Sequence, residues 1–566
     1  MMSLRRTLFA AIALAAAAGL VWLLAAALAP GGWTLAKALI LLCFLGVAPW
    51  LGICAGNALP GFAIAMLARD PARRVLPVDV PPDAGPVTLT TALAVTIRNE
   101  DMALVLPPLR RLLDGLDRAG AGGHVALCLL SDTQESALAT AEARAVAAFR
   151  AADAVPSRIR YRRRLAHAGF KAGNVMEFLD HHADGFDIAI TLDADSEMTA
   201  AAVLRLVRVL QAAPTVGLVQ HLTVGRPAAA AFPRLFQFGM RAGMRIWAIG
   251  QAWWQGDEGP YWGHNAAFRI APFRAHCRLA ALPDGSAILS HDQVEAARLR
   301  AAGWGVWMWA GEDGSFEHNP PALPEWLARD ARWQAGNLQY RHLQALPGLR
   351  AMGRWQLIQA MLLFTGAPLS VAMLALTALS VASGGGAAVP QGRIAALALA
   401  WPLTVYAPKL LGYAQVLLSA DQRVRYGGGT RFALAAAVEM AFSLLLEPPA
   451  AVSKTLTLVR LVFGMRAGWA PQNRQDRGVA WAEAARLFWP HTLFGMLTFA
   501  GLAAGSWGAA LWALPFAGGL LTAIPFCVFT ADPRVSAWLR RHRIAAIPEE
   551  IEPEPAAPRQ PAMASS

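Results

Sequence analysis

Residues 7–36 carry no charged side chain and residues 38–68 carry none either, with Lys37 alone between them. Each stretch exceeds the roughly 20 apolar residues that cross the hydrocarbon core of a bilayer as a helix. The chain is therefore predicted to start with two membrane spans, within 1–68. Arg5 and Arg6 precede the first, as in a signal peptide. The apolar run is too long for a signal h-region and a second span follows directly, so a retained helix is expected. Blocks of the same kind return at 357–383, 394–420, 432–446, 450–463, 487–505 and 509–530. A content of 56% hydrophobic and 16% charged residues in a 566-residue chain thus reflects segregation into blocks.

Between the two sets of blocks, charges are dense and apolar runs shorten to the length of strands and helices. That stretch, 85–345, is predicted to be a water-exposed domain, followed by about six membrane segments over 350–535. The tail 545–566 is acidic and Pro-rich and is expected to be disordered. Lys and Arg avoid "PGGWT", "SGGGAAVPQG" and "GSWG" but crowd "DQRVRYGGGTR", the region from Lys454 to Arg486, and "RRHR". The positive-inside rule then places the domain and both termini in the cytoplasm. The scheme requires an even number of crossings between Arg431 and Lys454. A short hairpin turning at Pro448 and Pro449, or a re-entrant pair, is expected there. The net charge of +12 fits this juxtamembrane bias and attraction to anionic lipid. "RIRYRRR" at 158–164 is the single candidate nucleic-acid stretch, too little for a basic face with interleaved aromatics, and no nucleic-acid partner is expected. The five Cys show no C-x-x-C spacing, so neither zinc nor disulfides are indicated.

Within the domain, strand-like runs alternate with helix-like ones: "LTTALAVTI", "HVALCLL", "FDIAITL" and "VGLVQH" are separated by amphipathic segments. This alternation predicts an α/β domain with a mostly parallel sheet covered by helices. Ligands of such sheets bind beyond the carboxyl ends of the strands. Those ends read "IRNED", with Asn99 and Glu100, "LLSDT", with Asp132, and "LDADS", with Asp193 and Asp195. An isolated D-x-D is more often turn and cap chemistry than a metal site. Three strands delivering carboxylates to one sheet edge are different, since they repel unless a cation or a proton relieves them. Mg²⁺ or Mn²⁺, taking one or two carboxylates and completing its shell with substrate phosphates, suits Asp195.

Three later segments add polar chemistry. "YWGHNAAFRI" places Gly263, His264 and Asn265 in a turn ahead of a strand. "LSHDQVEAARLRAAGWGVW" puts Asp292 at the start of a helix, where Glu295 completes a pattern like a capping box. "PEWLARDARWQAGNLQY" gathers Arg329, Arg332 and Trp333 on one amphipathic helix, which in the plainer reading rests at the membrane interface.

Taken in this order, the pieces resemble the processive, inverting glycosyltransferases that include cellulose, chitin and hyaluronan synthases. The shared pattern is a uridine-contacting Asp, a metal-binding D-x-D, a catalytic Asp opening a helix and a Q-x-x-R-W helix, followed by membrane helices. Arg329 departs from it, standing where Gln is usual, which bears on how the acceptor end is gripped. "YWGHNAAFR", "SHDQVEAARLRAAGWGVW", "FKAGNV", "RDARWQAGNLQ" and "YAPKLLG" are similar to the proteobacterial glucan biosynthesis glucosyltransferase H family, over about residues 85–535. Compared with that family, this chain reads as a short version without a long N-terminal extension.

The resemblance implies a GT-A-like cytoplasmic domain inserted between transmembrane helices of the bacterial inner membrane. It implies UDP-glucose as donor and the linear β-1,2-glucan backbone of osmoregulated periplasmic glucans as product, coupled to export and to a periplasmic glucan-processing partner. Asp292 is the expected catalytic base. Asp195 is expected to hold Mg²⁺ or Mn²⁺, with Arg332 as a fixed cation by the diphosphate. Asp132 and Asn99 or Glu100 would hold uridine, Lys171 would approach the nucleotide, and Asp193 would meet ribose or shape the turn. Trp333 would stack on the terminal sugar, with Gly263, His264 and Asn265 lining the acceptor pocket. Lys409 and Glu439, inside apolar spans, are either a structural pair or contacts for passing glucan. The competing readings are a synthase of another sugar or linkage and, in a different class, a transporter whose domain senses a nucleotide.

Overall fold

The computed structural model describes residues 2–78, 85–386, 389–465 and 475–551. Ten strands follow in chain order: β1 (Thr91–Ile97), β2 (Val125–Ser131), β3 (Ile159–Arg163), β4 (Ile188–Asp193), β5 (Glu197–Met198), β6 (Val216–His221), β7 (Val224–Gly225), β8 (Ala266–Arg269), β9 (Gly305–Trp309) and β10 (Ser315–Glu317). Seven of them form one sheet in the order β3-β2-β1-β4-β8-β6-β9, parallel except for β8, which runs against both its neighbours. β2 is buried along its whole length, as a strand covered on both faces must be. That explains why its sequence is an unbroken apolar run rather than an alternating one. Helices Met102–Arg118 and Ala200–Ala212 press Leu109, Leu113, Leu206 and Leu210 into the core on one face of the sheet. The basic stretch at 158–164 contains β3, an edge strand, where charge discourages pairing with another sheet.

A small second sheet, β5-β10-β7, lies beyond the carboxyl ends of the main strands. The 25-residue helix Ala231–Gln255 joins the two regions by packing against the membrane helices. Its approach is close enough that a Cβ on Gly250 would stand 2.0 Å from the Asn57 carbonyl oxygen, and one on Gly412 would stand 2.3 Å from that of Ala242. Backbones meet this closely only where side chains are absent.

Among the described residues, five helices are long and apolar enough to cross a membrane: Met2–Leu28, Leu35–Leu67, Ala351–Ala382, Gly429–Val462 and Trp481–Gly505. Two broken pairs raise the number to as many as seven, Gln391–Val405 with Ala407–Leu418 bent by 73°, and Trp507–Leu521 with Ala523–Thr530 bent by 58°. The first bend falls just ahead of Pro408, whose ring cannot continue the hydrogen-bond ladder.

Two expectations change. Pro448 and Pro449 do not turn a hairpin: Gly429–Val462 is one continuous helix of 34 residues. Proline's fixed φ suits a helix, and neighbouring helices accommodate the missing donors. Both ends of this helix also meet the α/β domain. Phe432 packs on Phe238 at 5.2 Å between ring centres, and the Lys454 carbonyl accepts from Gln334 Nε2 at 2.9 Å. Nor is the tail disordered from residue 545. Ala545 and Ile547 are fully buried, and Glu549 and Glu550 are ion-paired with Arg241 and Arg234. Residues 552–566 lie outside the described part.

Candidate active site

The strand order β2-β1-β4 puts three polar strand ends side by side, with Ile97 opposite Ser131 and Thr96 opposite Asp193. Asp132 follows β2 directly, and its amide donates to the Ile97 carbonyl at 2.8 Å. Asn99 sits in the left-handed region at φ 56, held by its amide donating to Thr133 Oγ1 at 2.9 Å. That conformation suits Asn better than most residues. Its Oδ1 is buried without a hydrogen-bond partner, a cost that a ligand's donor would remove.

Asp132 and Asp193 are each matched by a cation. Asp132 accepts from Arg164 through both oxygens, the Nη2 bond measuring 2.7 Å, with His167 Nδ1 3.6 Å away. Asp193 pairs with Lys171 and accepts from Thr96 Oγ1 at 3.2 Å, while its amide donates to Ser196 Oγ at 3.1 Å. The repulsion expected of three converging carboxylates is therefore relieved largely by Arg164 and Lys171. Among the described residues, no group of three or more His, Cys, Asp or Glu side chains is arranged to hold a metal alone. The charge of Asp195 is felt by Arg329 and Glu317. One half-buried carboxylate fits Mg²⁺ or Mn²⁺ only if phosphate oxygens supply much of the shell.

Asp292 is the first residue of the Asp292–Ala301 helix, with His291 at the N-cap. The capping-box reading is off by one residue: His291 makes no side-chain cap, and its Nδ1 pairs instead with Glu295 Oε2 at 2.7 Å. Burial would lower the His291 pKa, but the Glu295 carboxylate, helped by Asp292, overcomes it and leaves the imidazole above its ordinary value. Gly263, at φ 82, brings its backbone against this turn; a Cβ there would lie 3.6 Å from Asp292 Cβ. The helix Leu323–Leu338 clasps the turn from another side. Gln339, just past its end, accepts from the Leu289 amide at 2.8 Å and donates to the Ala287 carbonyl at 3.1 Å.

On that helix, the Arg329 guanidinium lies over the Trp333 ring at 4.6 Å, and Trp333 remains 49% exposed, leaving ring surface open. Arg329 is buried with its Nε unpartnered. Burial pulls its pKa below the ordinary value against the opposing fields of Glu317 and Asp195. Arg329 thus lies within electrostatic reach of Asp195 as well as against Trp333. Arg332 is half-buried on the next turn.

His264 bridges the β4–β5 turn and β10: Nδ1 stands 3.3 Å from Ser196 Oγ, and Nε2 stands 3.6 Å from Glu317 Oε2. Asn265 does not line a pocket. It is fully buried, and its Nδ2 donates to Ser315 Oγ at 2.9 Å, so it ties β8 to β10 and shapes the turn. Sequence reasoning missed Arg164, His291 and Glu317. The basic run at 158–164 is the only signal for the first, and by sequence it stands merely as an insufficient nucleic-acid stretch.

Polar strand ends gathered at one sheet edge thus stand with a separate carboxylate at a helix start, the arrangement expected of a sugar-transferring enzyme. The matching family model is described as "Glycosyl transferase family group 2" and covers residues 188–410. The chain is a glycosyltransferase. It is 33% identical to the glucans biosynthesis glucosyltransferase H of Xanthomonas campestris pv. campestris (strain B100), over 97% of this chain and 88% of that one. The Xylella fastidiosa protein of the same name is 32% identical over 94% of this chain and 86% of its own. The chain belongs to the glucans biosynthesis glucosyltransferase H family. Among solved structures, the mannosyltransferase PcManGT from Pyrobaculum calidifontis, in complex with GDP-Man and Mn²⁺, aligns at a TM-score of 0.41 and 18% identity, covering 65% of this chain and 99% of that one.

Proposed function

We infer that this chain polymerises glucose from UDP-glucose, with inversion, into the linear β-1,2-linked backbone of osmoregulated periplasmic glucans. The observation that supports the reading is that buried Tyr261 feels both Asp292, packed against Gly263 and the Leu323–Leu338 helix end, and Asp193, which lies with Asn99 and Asp132 at neighbouring strand ends. The relatives' name supplies the glucan.

In the transfer, the acceptor hydroxyl attacks the anomeric carbon from the face opposite the diphosphate. A bond forms between that oxygen and carbon as the bond to the phosphate oxygen breaks, and the proton passes to an Asp292 oxygen. UDP leaves with the bonding pair, and Arg332 and Arg329 offset its growing charge. Mg²⁺ or Mn²⁺, when bound at Asp195, supplies further charge stabilisation. Asn99 Oδ1, lacking a partner, accepts from the base or ribose, and Glu100 and Asp132 complete that cradle. Lys171 and Asp193 fix the turn that carries Asp195. Trp333 presents a flat apolar surface to the terminal sugar, and Gly263 and His264 border it.

Export draws support from a cavity of about 670 Å³ among the membrane helices, whose wall includes Trp50, Trp247, Trp401 and Tyr406. Lys454 lines it and lies 3.8 Å from Asp330, on the helix of Trp333. Lys409 serves as a structural partner: its Nζ reaches Glu439 Oε1 at 2.7 Å and Ser443 Oγ at 2.6 Å, and Glu439 is fully buried. The α/β domain and both termini lie on the cytoplasmic side of the inner membrane. With Gly429–Val462 now one continuous helix, the even count that the basic loops require calls for this helix not to cross, although its length and apolar content would allow a span. Incubating the purified protein with radiolabelled UDP-glucose and Mg²⁺, then analysing product linkages, tests the reading. A polymer of another linkage would replace it with a different synthase; absence of both polymer and UDP release would favour a nucleotide sensor.

A further inference from the structure

A second cavity, of about 330 Å³, is lined where several elements leave the membrane helices. Its walls come from the Pro71–Val75 helix after the second membrane helix, the Ala231–Gln255 helix, Arg425 ahead of the Gly429–Val462 helix, and the loop 310–313. Arg73, Arg205, Arg245 and Arg425 line it, against the carboxylates of Asp70, Glu312 and Asp313.

The carboxylates are all engaged. Asp70 accepts from the Arg73 amide at 3.1 Å, and Asp313 accepts from Arg205 Nη2 at 2.6 Å and Trp309 Nε1 at 3.2 Å. Buried Glu312 is reached by Arg241 at 3.0 Å, Arg245 at 3.3 Å and Arg425 at 3.2 Å. Burial alone would raise the Glu312 carboxyl, and these three guanidiniums overcome that and hold it below its ordinary value. Arg245 and Arg425 share one oxygen, Oε1, each through a single Nη1. A guanidinium carries five N–H donors in a planar fork, so most of the donors on these two residues are surplus to Glu312. Arg205 Nη1 is shielded from solvent and has no partner. Surplus Arg donors converging on a small cavity match a phosphate group.

We propose that this cavity binds a phosphate ester through Arg205, Arg245 and Arg425, and that the ester is the headgroup of an anionic membrane lipid. Location selects the source. Arg73 and Arg425 follow membrane helices directly and Arg245 lies on the helix packed along them, where anionic headgroups are concentrated. The loop that carries Glu312 and Asp313 continues into β10 and Glu317, so an occupied site steadies one edge of the cleft.

The test uses the full-length protein in nanodiscs of phosphatidylcholine with and without phosphatidylglycerol, then native mass spectrometry after detergent exchange. Wild type is expected to retain phosphatidylglycerol, and Arg245→Gln/Arg425→Gln to retain about tenfold less. Arg245→Lys/Arg425→Lys keeps the charge around Glu312 and should fold with an unchanged melting temperature, retaining an intermediate amount. Equal retention by wild type and the folded variants would overturn the proposal. In a second arm, inorganic phosphate is titrated into phosphatidylcholine discs. Binding there that depends on the same arginines, without retained phosphatidylglycerol, would overturn the lipid source. The readout is lipid occupancy, so its failure is separable from failure of the glucosyltransferase reading.

Discussion

Replacing Gly336 with alanine should lower turnover about tenfold while leaving UDP binding intact, a figure that follows from the contact with Ser290. A Cβ at Gly336 would stand 2.2 Å from Ser290 Oγ and 3.0 Å from both Ser290 Cβ and its amide nitrogen. The hydroxyl can rotate away, but the other two atoms can retreat only if backbone moves. Ordinary contact needs about 3.5 Å, so the turn must yield by roughly half an ångström. Ser290 lies two residues before Asp292, and the shift passes to the base. Misplacing a reacting group by about 1 Å costs on the order of a hundredfold, which scales here to about tenfold, or about 1.4 kcal/mol of barrier. UDP release at saturating donor, with calorimetric titration of UDP on the same preparation, reads the two effects separately. Adding Ser290→Gly removes Oγ and Cβ but leaves the amide nitrogen, so it should recover part of the loss, a coupling that a double-mutant cycle isolates. Wild-type turnover in Gly336→Ala, or reduced UDP affinity at normal saturated turnover, would refute the claim that this helix places Asp292.

Other expectations follow from the same geometry. Asp292→Asn keeps shape and removes basicity, so folded protein should bind UDP yet turn over about 10²–10⁴-fold more slowly. Asp195→Ala should abolish the difference between UDP titrations with and without Mg²⁺; an undiminished difference would move the metal elsewhere. Glu439→Met strands the Lys409 charge and should destabilise by about 3–5 kcal/mol, with Lys409→Met/Glu439→Met recovering most of it in a thermal melt. The His291 pKa is raised by Glu295, so that pair contributes stability fully below the ordinary imidazole range, about pH 6.5, and loses it as pH rises through the folded value. His291→Gln should flatten the melting temperature against pH above that point, and an unchanged profile would count against a protonated His291.

The sheet was legible because its parallel strands are short apolar runs separated by amphipathic helices, and the strand-end rule pointed to the edge where the polar strand ends meet. Company rather than spacing gave "LDADS" its meaning, and the structure divides that pair: Asp193 is tied to Lys171 and Thr96, while the field of Asp195 reaches toward Arg329 and Glu317. What could not be read were partners distant in sequence. Arg164 lies 32 residues from Asp132, and His264 is 53 residues before Glu317. No local pattern signals such contacts. The double proline at 448–449 misled for a related reason: proline breaks helices in water, yet here packed neighbours keep Gly429–Val462 continuous. The order of residues 545–551 was hidden because their acidic composition, typical of a solvated tail, serves two buried arginines.

The central claim, that one cleft joins glucose units using Asp292 as base, is tested most directly by product analysis of purified wild type and Asp292→Asn side by side. Both receive radiolabelled UDP-glucose and Mg²⁺, and any polymer is analysed for linkage. The account predicts β-1,2-linked glucan from wild type and at most about a hundredth as much from the variant, with equal UDP binding by the two. Polymer from Asp292→Asn at near wild-type yield, or wild type that binds UDP-glucose yet forms no glucan and releases no UDP, would contradict it.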